Sequence, residues 1–125
     1  MTRTSRQRAE KHGRFAEIYA AVIYGFHGFR ILERRYRTTL GEADLILRRG
    51  NLIVVAEIKY AGAGQSVDAV LPSMKQFHRI ERTALLYQSR HPENADAMLR
   101  LDIMVIRPWG FFRIFRIFPN VGRSI

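Results

Sequence analysis

Four charged residues are spaced so that they meet at one end of a hairpin. The segments Glu42 to Arg49 and Leu52 to Lys59 have strand-like length, and only Gly50 and Asn51 separate them, a dipeptide suited to a two-residue turn. With that turn Arg49 pairs with Leu52, which sets Asp44 opposite Glu57 and Glu42 opposite Lys59. Side chains alternate across a strand and opposed residues share a face, so all four project from one side, away from the turn. The other face, Ala43, Leu45 and Leu47 against Leu52, Val54, Ala56 and Ile58, is wholly apolar. Ile46, Ile53 and Val55 continue the charged face and require cover from another element, so the charges sit at the margin of a buried surface.

Two opposed carboxylates with Cβ atoms about 5 Å apart repel each other unless a proton or a cation lies between them. A hard divalent ion removes the conflict: Mg²⁺ takes one or two carboxylates from protein and completes its shell with water and substrate phosphate. From the spacing alone, a partly solvated sheet face with a Glu42 to Lys59 ion pair is as good a reading. Other chemistries are narrower still. The chain has no Cys, which removes a disulfide framework, a thiolate zinc site and a cysteine nucleophile. His12, His27, His78 and His91 show no metal-ligand spacing, and neither a strained serine elbow nor a Gly-rich phosphate loop occurs.

The charge balance points to a polyanionic partner. Twenty-one Lys and Arg against eleven Asp and Glu leave +10, and eighteen of the cations are Arg, whose planar fork suits phosphate. Arg34, Arg35, Arg37, Arg48 and Arg49 lie on strands or turns around the hairpin and form the candidate nucleic-acid set; charged strand edges that resist aggregation are the plain alternative. Lys75 and Gln76 open a helix, where side chains reach a bound phosphate. Arg14 on the first helix belongs to the same nucleic-acid set, although with Glu17, one turn on, it would make an ordinary helix ion pair. The alternation of Phe and Arg from Phe111 to Phe118 suits either a stacking surface or a core strand.

These residues need elements to hold them. At 125 residues with 47% apolar side chains, residues 1–125 are expected to form a single domain, with 1–12 a frayed basic N-terminus. Apolar residues at Phe15, Ile18, Tyr19, Val22, Ile23 and Phe26 mark one face of an amphipathic helix running from Ser5 to Tyr24. Strands are expected at Phe29 to Arg37, Glu42 to Arg49 and Leu52 to Lys59, and a second helix over Pro72 to Gln88, with Pro72 in its first turn. Leu101 to Ile106 and Phe111 to Phe118 complete the set as strands flanking a Pro108-Trp109-Gly110 turn. The longest apolar run, Ile18 to Phe26, is nine residues, short of the ~20 that cross a bilayer. Glu10 and Glu17 interrupt any secretory signal and no small-residue cleavage site follows, so the expected location is the cytoplasm with no membrane partner.

The run Gly41-Glu42-Ala43-Asp44-Leu45-Ile46, a hairpin, then Val55-Ala56-Glu57-Ile58-Lys59 resembles the PD-(D/E)XK nuclease core, most closely that of the YraN-like bacterial proteins and the archaeal Holliday junction resolvases. The similarity extends to Gly13-Arg14-Phe15-Ala16-Glu17, Gly28-Phe29-Arg30-Ile31-Leu32, Ala69-Val70 with Lys75-Gln76, and Leu101-Asp102-Ile103. Ala43 stands where the broad motif has Pro, and Tyr60-Ala61 replace the Thr and basic residue common after the lysine. The resemblance implies a restriction-endonuclease-like α/β/α core with a mixed sheet, in the order helix, three strands, helix, two strands. It implies a DNA endonuclease using Mg²⁺ or Mn²⁺, with Asp44 and Glu57 as metal ligands, Lys59 as the catalytic lysine and Glu17 as an added acidic residue. A non-catalytic nucleic-acid-binding module on the same fold is the alternative. A symmetric cut in branched DNA would require a homodimer.

Overall fold

The computed structural model describes the backbone of residues 2–119 and the side chains of residues 13–119. The basic side chains of Arg3, Arg6, Arg8 and Lys11 lie outside the described residues. Helix α1 spans Thr2–Phe26, followed by β1 (Arg30–Thr38), β2 (Gly41–Arg49) and β3 (Leu52–Tyr60). Helix α2 (Met74–Arg90) then leads to β4 (Met98–Ile106) and β5 (Phe112–Ile117). The five strands form one mixed sheet in sequence order, with β3 and β4 parallel and every other neighbouring pair antiparallel. A parallel neighbour needs a crossover, and α2 is that crossover. It lies over one face of the sheet and α1 over the other, which buries Ile53, Val54, Val55 and Ala56 of β3 on both sides. The chain is thus a mixed α/β structure with a central strand that reads as an unbroken apolar run.

The β2–β3 hairpin turns at Gly50, whose φ of 58° favours glycine, and its register runs from Arg49 opposite Leu52 to Leu45 opposite Ala56. Beyond that pair the ladder ends, and β3 continues through Tyr60 paired with β4 alone. The expected cross-strand pairs Asp44 with Glu57 and Glu42 with Lys59 are therefore not ladder partners. The alternation slips as well: Leu45 and Leu47 pack under α1, whereas Ala43, which should share their face, packs under α2 beside Tyr36. The cause is an irregularity shared with β1, where Arg35 takes a φ of 50° and the pair Arg35 with Asp44 is absent between Arg34 with Leu45 and Tyr36 with Ala43; a separate register shift lies earlier, between Ile31 and Glu33. Two strands that both slip at one place keep their pairing on either side of it.

Helix α1 does not bury its large apolar stripe. The face in contact with the sheet is Ala16, Ala20, Ala21 and Tyr24, while Phe15, Ile18, Val22 and Phe26 are exposed. Small side chains let the helix axis approach a sheet already filled by Leu45, Leu47, Val54 and Met104. A buried polar group fixes this approach. Tyr24 donates its hydroxyl to Asp102 Oδ2 at 2.7 Å, and Arg100 meets both Asp102 oxygens at 2.8 and 3.0 Å. Asp102 is fully buried, and burial together with its charge drives the Tyr24 phenol well above its usual range.

Helix α2 opens differently from expectation too. Ser73 is its N-cap, accepting from the Gln76 N–H at 3.1 Å, while Gln76 Oε1 accepts from the Ser73 N–H at 3.2 Å. This capping box places Pro72 before the helix rather than in its first turn. Among the described residues no helix is long and apolar enough to cross a membrane.

Because Asp102 is compensated by groups from two elements, removing it leaves Arg100 buried without a counter-charge. Asp102→Ala should cost about 3–5 kcal/mol and Tyr24→Phe only about 1–2 kcal/mol, both read from urea unfolding midpoints. Equal costs would mean that the tyrosine hydroxyl, not the ion pair, holds α1 in place.

Candidate active site

The break in the β2–β3 ladder frees the Ile58 N–H from any β2 carbonyl, and the Asp44 side chain takes it: Oδ2 accepts from Ile58 at 2.7 Å. The carboxylate thus stands in the gap between the strands and brings Asp44 to Glu57 through side chains rather than through register. Glu57 is largely buried there. Desolvation first, then the hydrogen bond and negative charge of Asp44, push its carboxyl up from 4.5 to about 9, against a partial pull from the Lys59 ammonium. Without a cation, then, Glu57 keeps its proton at neutral pH.

Two clefts flank this pair. One, of about 420 Å³, lies on the α2 side and is lined by Glu57 and Lys59 together with Arg37, Glu42, Gln76 and Arg79. The other, of about 300 Å³, lies on the α1 side and is lined by Asp44 with Arg14, Glu17, Arg35, Arg37 and Glu42. Arg37 and Glu42 border both and pair with each other at 3.2 Å in an exposed contact. Glu42 is therefore paired within the β1–β2 ladder, where Arg37 opposes it. Glu17 accepts from Arg35 Nε at 3.3 Å, so its partner is not Arg14 on its own helix.

The remaining sequence candidates divide by position. Arg14, Arg35 and Arg37 line the clefts, and Arg34 is exposed on β1 opposite Leu45. Gln76 reaches the α2-side cleft, but its side chain is engaged in the cap, and Lys75 is exposed beside it. Arg48 and Arg49 sit at the turn end of the hairpin, five strand positions from Asp44 in the case of Arg49. There Arg48 donates to Asn94 and Gly50, while Arg49 donates to the His27 carbonyl at 2.8 Å and lies 4.4 Å from the Phe29 ring centre. Arg79, one turn beyond Gln76, joins the cleft without having been singled out from the sequence. The i, i+3 spacing from Gln76 would have placed it on the same helix edge once the cap was fixed.

As a metal site the donor set is sparse. Among the described residues no group of three or more His, Cys, Asp and Glu side chains comes together. Asp44 and Glu57 are close together, and burial first, then the hydrogen bond and charge of Asp44, raises the Glu57 carboxyl. Such a pair fits a hard ion that takes one or two carboxylates and fills its shell with water and phosphate. It does not fit zinc, which needs nitrogen or sulfur donors absent from this place.

A model of the Uncharacterised protein family UPF0102 matches residues 16–106. The chain belongs to the UPF0102 family. It is 41% identical over 107 residues to a UPF0102 protein of Chelativorans sp. (strain BNC1), an alignment covering 85% of each chain. It is 43% identical over 104 residues to a UPF0102 protein of Agrobacterium fabrum, covering 82% of this chain and 84% of that one. A UPF0102 protein of Parvibaculum lavamentivorans shares 39% over 101 residues, 80% of this chain and 74% of the relative. The part matched by the UPF0102 model begins on α1 just before Glu17 and ends with β4. It therefore contains Glu17, Asp44, Glu57 and Lys59 and leaves out β5.

The raised Glu57 carboxyl has a signed consequence for stability. Below pH 4.5 the group is protonated folded and unfolded alike, so its contribution is fully present. Between 4.5 and about 9 the unfolded chain releases the proton and the folded chain holds it, so stability of the metal-free protein falls as pH rises. Glu57→Gln should remove this slope and be the more stable protein at pH 8. Urea unfolding of both across that window measures the difference; parallel pH profiles would mean that Glu57 is ionised in the folded protein.

Proposed function

We propose that this UPF0102 chain is a metal-dependent nuclease that hydrolyses DNA phosphodiester bonds on a restriction-endonuclease-like core of the YraN-like group. The observation that carries the reading is the meeting of Asp44 and Glu57 at the border of two arginine-lined clefts, Asp44 lining one and Glu57 with Lys59 lining the other. The helix, strand and motif order of the PD-(D/E)XK resemblance supports it.

Mg²⁺ or Mn²⁺ held by Asp44 and Glu57 would supply Lewis-acid polarisation of the phosphate and a more acidic bound water. The protein's own groups do the rest. Asp44 anchors to the Ile58 N–H and so holds its carboxylate at a fixed place on β3. Glu57 gives up its proton as a cation arrives and becomes a second anionic donor. Lys59, two residues on and in the same cleft, offers only donors. Its ammonium steers the attacking water or stabilises negative charge developing on the phosphate oxygens. Arg37 and Arg79 on the cleft wall, with Arg14 and Arg35 on the α1 side, hold neighbouring phosphates in register. Branched DNA as the preferred form follows from the resemblance to the archaeal junction resolvases.

A non-catalytic nucleic-acid-binding module is favoured by one specific observation: Glu17, which shares the α1-side cleft with Asp44, is tied to Arg35. Incubation of labelled linear, flap and four-way DNA with Mg²⁺ or Mn²⁺, and with chelator, separates the readings. Cleavage that chelator stops, and that falls about 100-fold or more in Asp44→Asn, supports the nuclease; tight binding without cleavage in any metal supports the module.

Two further outcomes follow from the same site. Lys59→Ala should lose cleavage but keep Mn²⁺ binding, whereas Glu57→Ala should lose both, by calorimetry beside a cleavage assay. Full activity in Lys59→Ala removes the lysine from the catalytic set. Titration of Mn²⁺ at neutral pH in buffers of different ionisation enthalpy should show release of about one proton from wild type and none from Glu57→Gln. No proton release from wild type would contradict the cation-for-proton exchange at Glu57.

A further inference from the structure

The stripe that α1 turns away from the sheet is the largest feature of the molecule that the proposed chemistry leaves unused. Phe15, Ile18, Val22 and Phe26 are 63%, 59%, 49% and 86% exposed. The β4–β5 turn extends the same surface. Tyr19, stacked on Phe15 with ring centres 6.3 Å apart, donates its hydroxyl to the Gly110 carbonyl at 2.6 Å. Gly110 is flanked by Trp109 and Phe111, 96% and 71% exposed. The junction is built rather than accidental: Gly110 has a φ of 81°, and a Cβ there would lie 2.7 Å from the Tyr19 oxygen. Trp109 itself is held at a φ of 69°, unfavourable for a large side chain.

We propose that this face is covered by a second copy of the chain, in a two-fold symmetric dimer whose axis passes close to Val22. Three observations select that occupant. First, the area fits: with about 150–250 Å² for each large aromatic, the six residues expose on the order of 800 Å², close to what each partner contributes to a standard stable interface. Second, the shape fits itself. Spacings of three and four from Phe15 to Phe26 form a narrow seam along one helix. Two such helices crossing antiparallel about a two-fold set one end of each seam on the other end of its mate. The midpoint of Phe15 to Phe26 falls between Ala20 and Ala21, and Val22 is the exposed seam residue nearest it. Third, the seam itself carries no charge, although the chain carries +10. Two copies therefore meet through apolar contact against a mutual repulsion that salt screens.

This last point gives the proposal a signature of its own. Dimerisation should tighten as salt rises, whereas binding to DNA should weaken. The dimer also leaves the carboxylate site open, because Glu17 and its Arg35 partner lie on another side of α1, and it does not depend on the nuclease reading.

The test uses the full chain without metal or DNA. Sedimentation equilibrium at low and high salt should give twice 14.6 kDa, with the tighter association at high salt. Ile18→Glu and Phe26→Glu should each weaken it by about 30-fold or more, with unchanged far-ultraviolet circular dichroism, since both positions are exposed in one copy. The absence of Cys permits a second, independent measurement: Val22→Cys should form an intermolecular disulfide on mild oxidation, and Ser89→Cys, exposed on α2 across the sheet, should not. A monomer at both salts, a dimer indifferent to both glutamate variants, or a failure of Val22→Cys to cross-link would each overturn the proposal. Loss of DNA cleavage with the dimer intact would instead count against the nuclease reading alone.

Discussion

The Asp44 carboxylate accepting the Ile58 N–H is the contact on which the candidate site depends. A strand in the middle of a sheet ordinarily spends its N–H and C=O groups on both neighbours. Here β2 leaves β3 after Leu45 and Ala56, and one backbone donor would be stranded at the margin of the core. Asp44 answers it from the departing strand itself. The arrangement costs a left-handed residue at Arg35 and a slip in side-chain alternation, strain of a kind that collects at functional sites. In return, the end of β3 is opened on one side while β4 holds the other in unbroken parallel register to Tyr60 and Ile106. Glu57 and Lys59 can then face a cleft without loss of the strand that carries them.

The two clefts join opposite electrostatic demands. Asp44 lines one and Glu57 the other, burial and the nearby Asp44 raise the Glu57 carboxyl, and the walls carry arginines from α1, β1 and α2. A surface of net charge +10 draws a polyanion toward the molecule, yet the carboxyl pair would repel the phosphate itself. In the proposed nuclease a divalent ion would resolve both demands, attracted by the carboxyls and shared with the phosphate. The Arg37–Glu42 pair at the common border of the two clefts is exposed and contributes little to stability.

The two helices meet the sheet by different means. Helix α2 inserts Ile80, Ala84 and Tyr87, with Tyr87 set edge-on against Tyr36 at 5.2 Å. Helix α1 approaches on alanines and is locked by Tyr24, Asp102 and Arg100. A buried ion pair is a poor source of net stability against an apolar replacement, but it tolerates only one placement of the helix. Since Glu17 rides on α1, the lock also fixes where that carboxylate stands relative to β1 and Asp44.

The sequence by itself determined what is local. The Gly50-Asn51 turn, the register from Arg49 and Leu52 to Leu45 and Ala56, and the apolar run of β3 follow from period and turn chemistry, which involve residues near one another in the chain. The cap at Ser73 and Gln76 was equally open to reading, and with it the place of Arg79. The tertiary structure alone decided the rest. Alternation carried through Asp44 puts Ala43 under the wrong helix, because the slip is imposed jointly by β1 and has no signal within β2. The large stripe of α1 promised a buried face, but burial goes to the side that fits the surface it meets, and a sheet face already filled by leucine, valine and methionine accepts alanine. Asp44 and Glu57 come together in space for a reason their pairing number does not contain: one strand leaves, a backbone donor is freed, and the nearest carboxylate takes it.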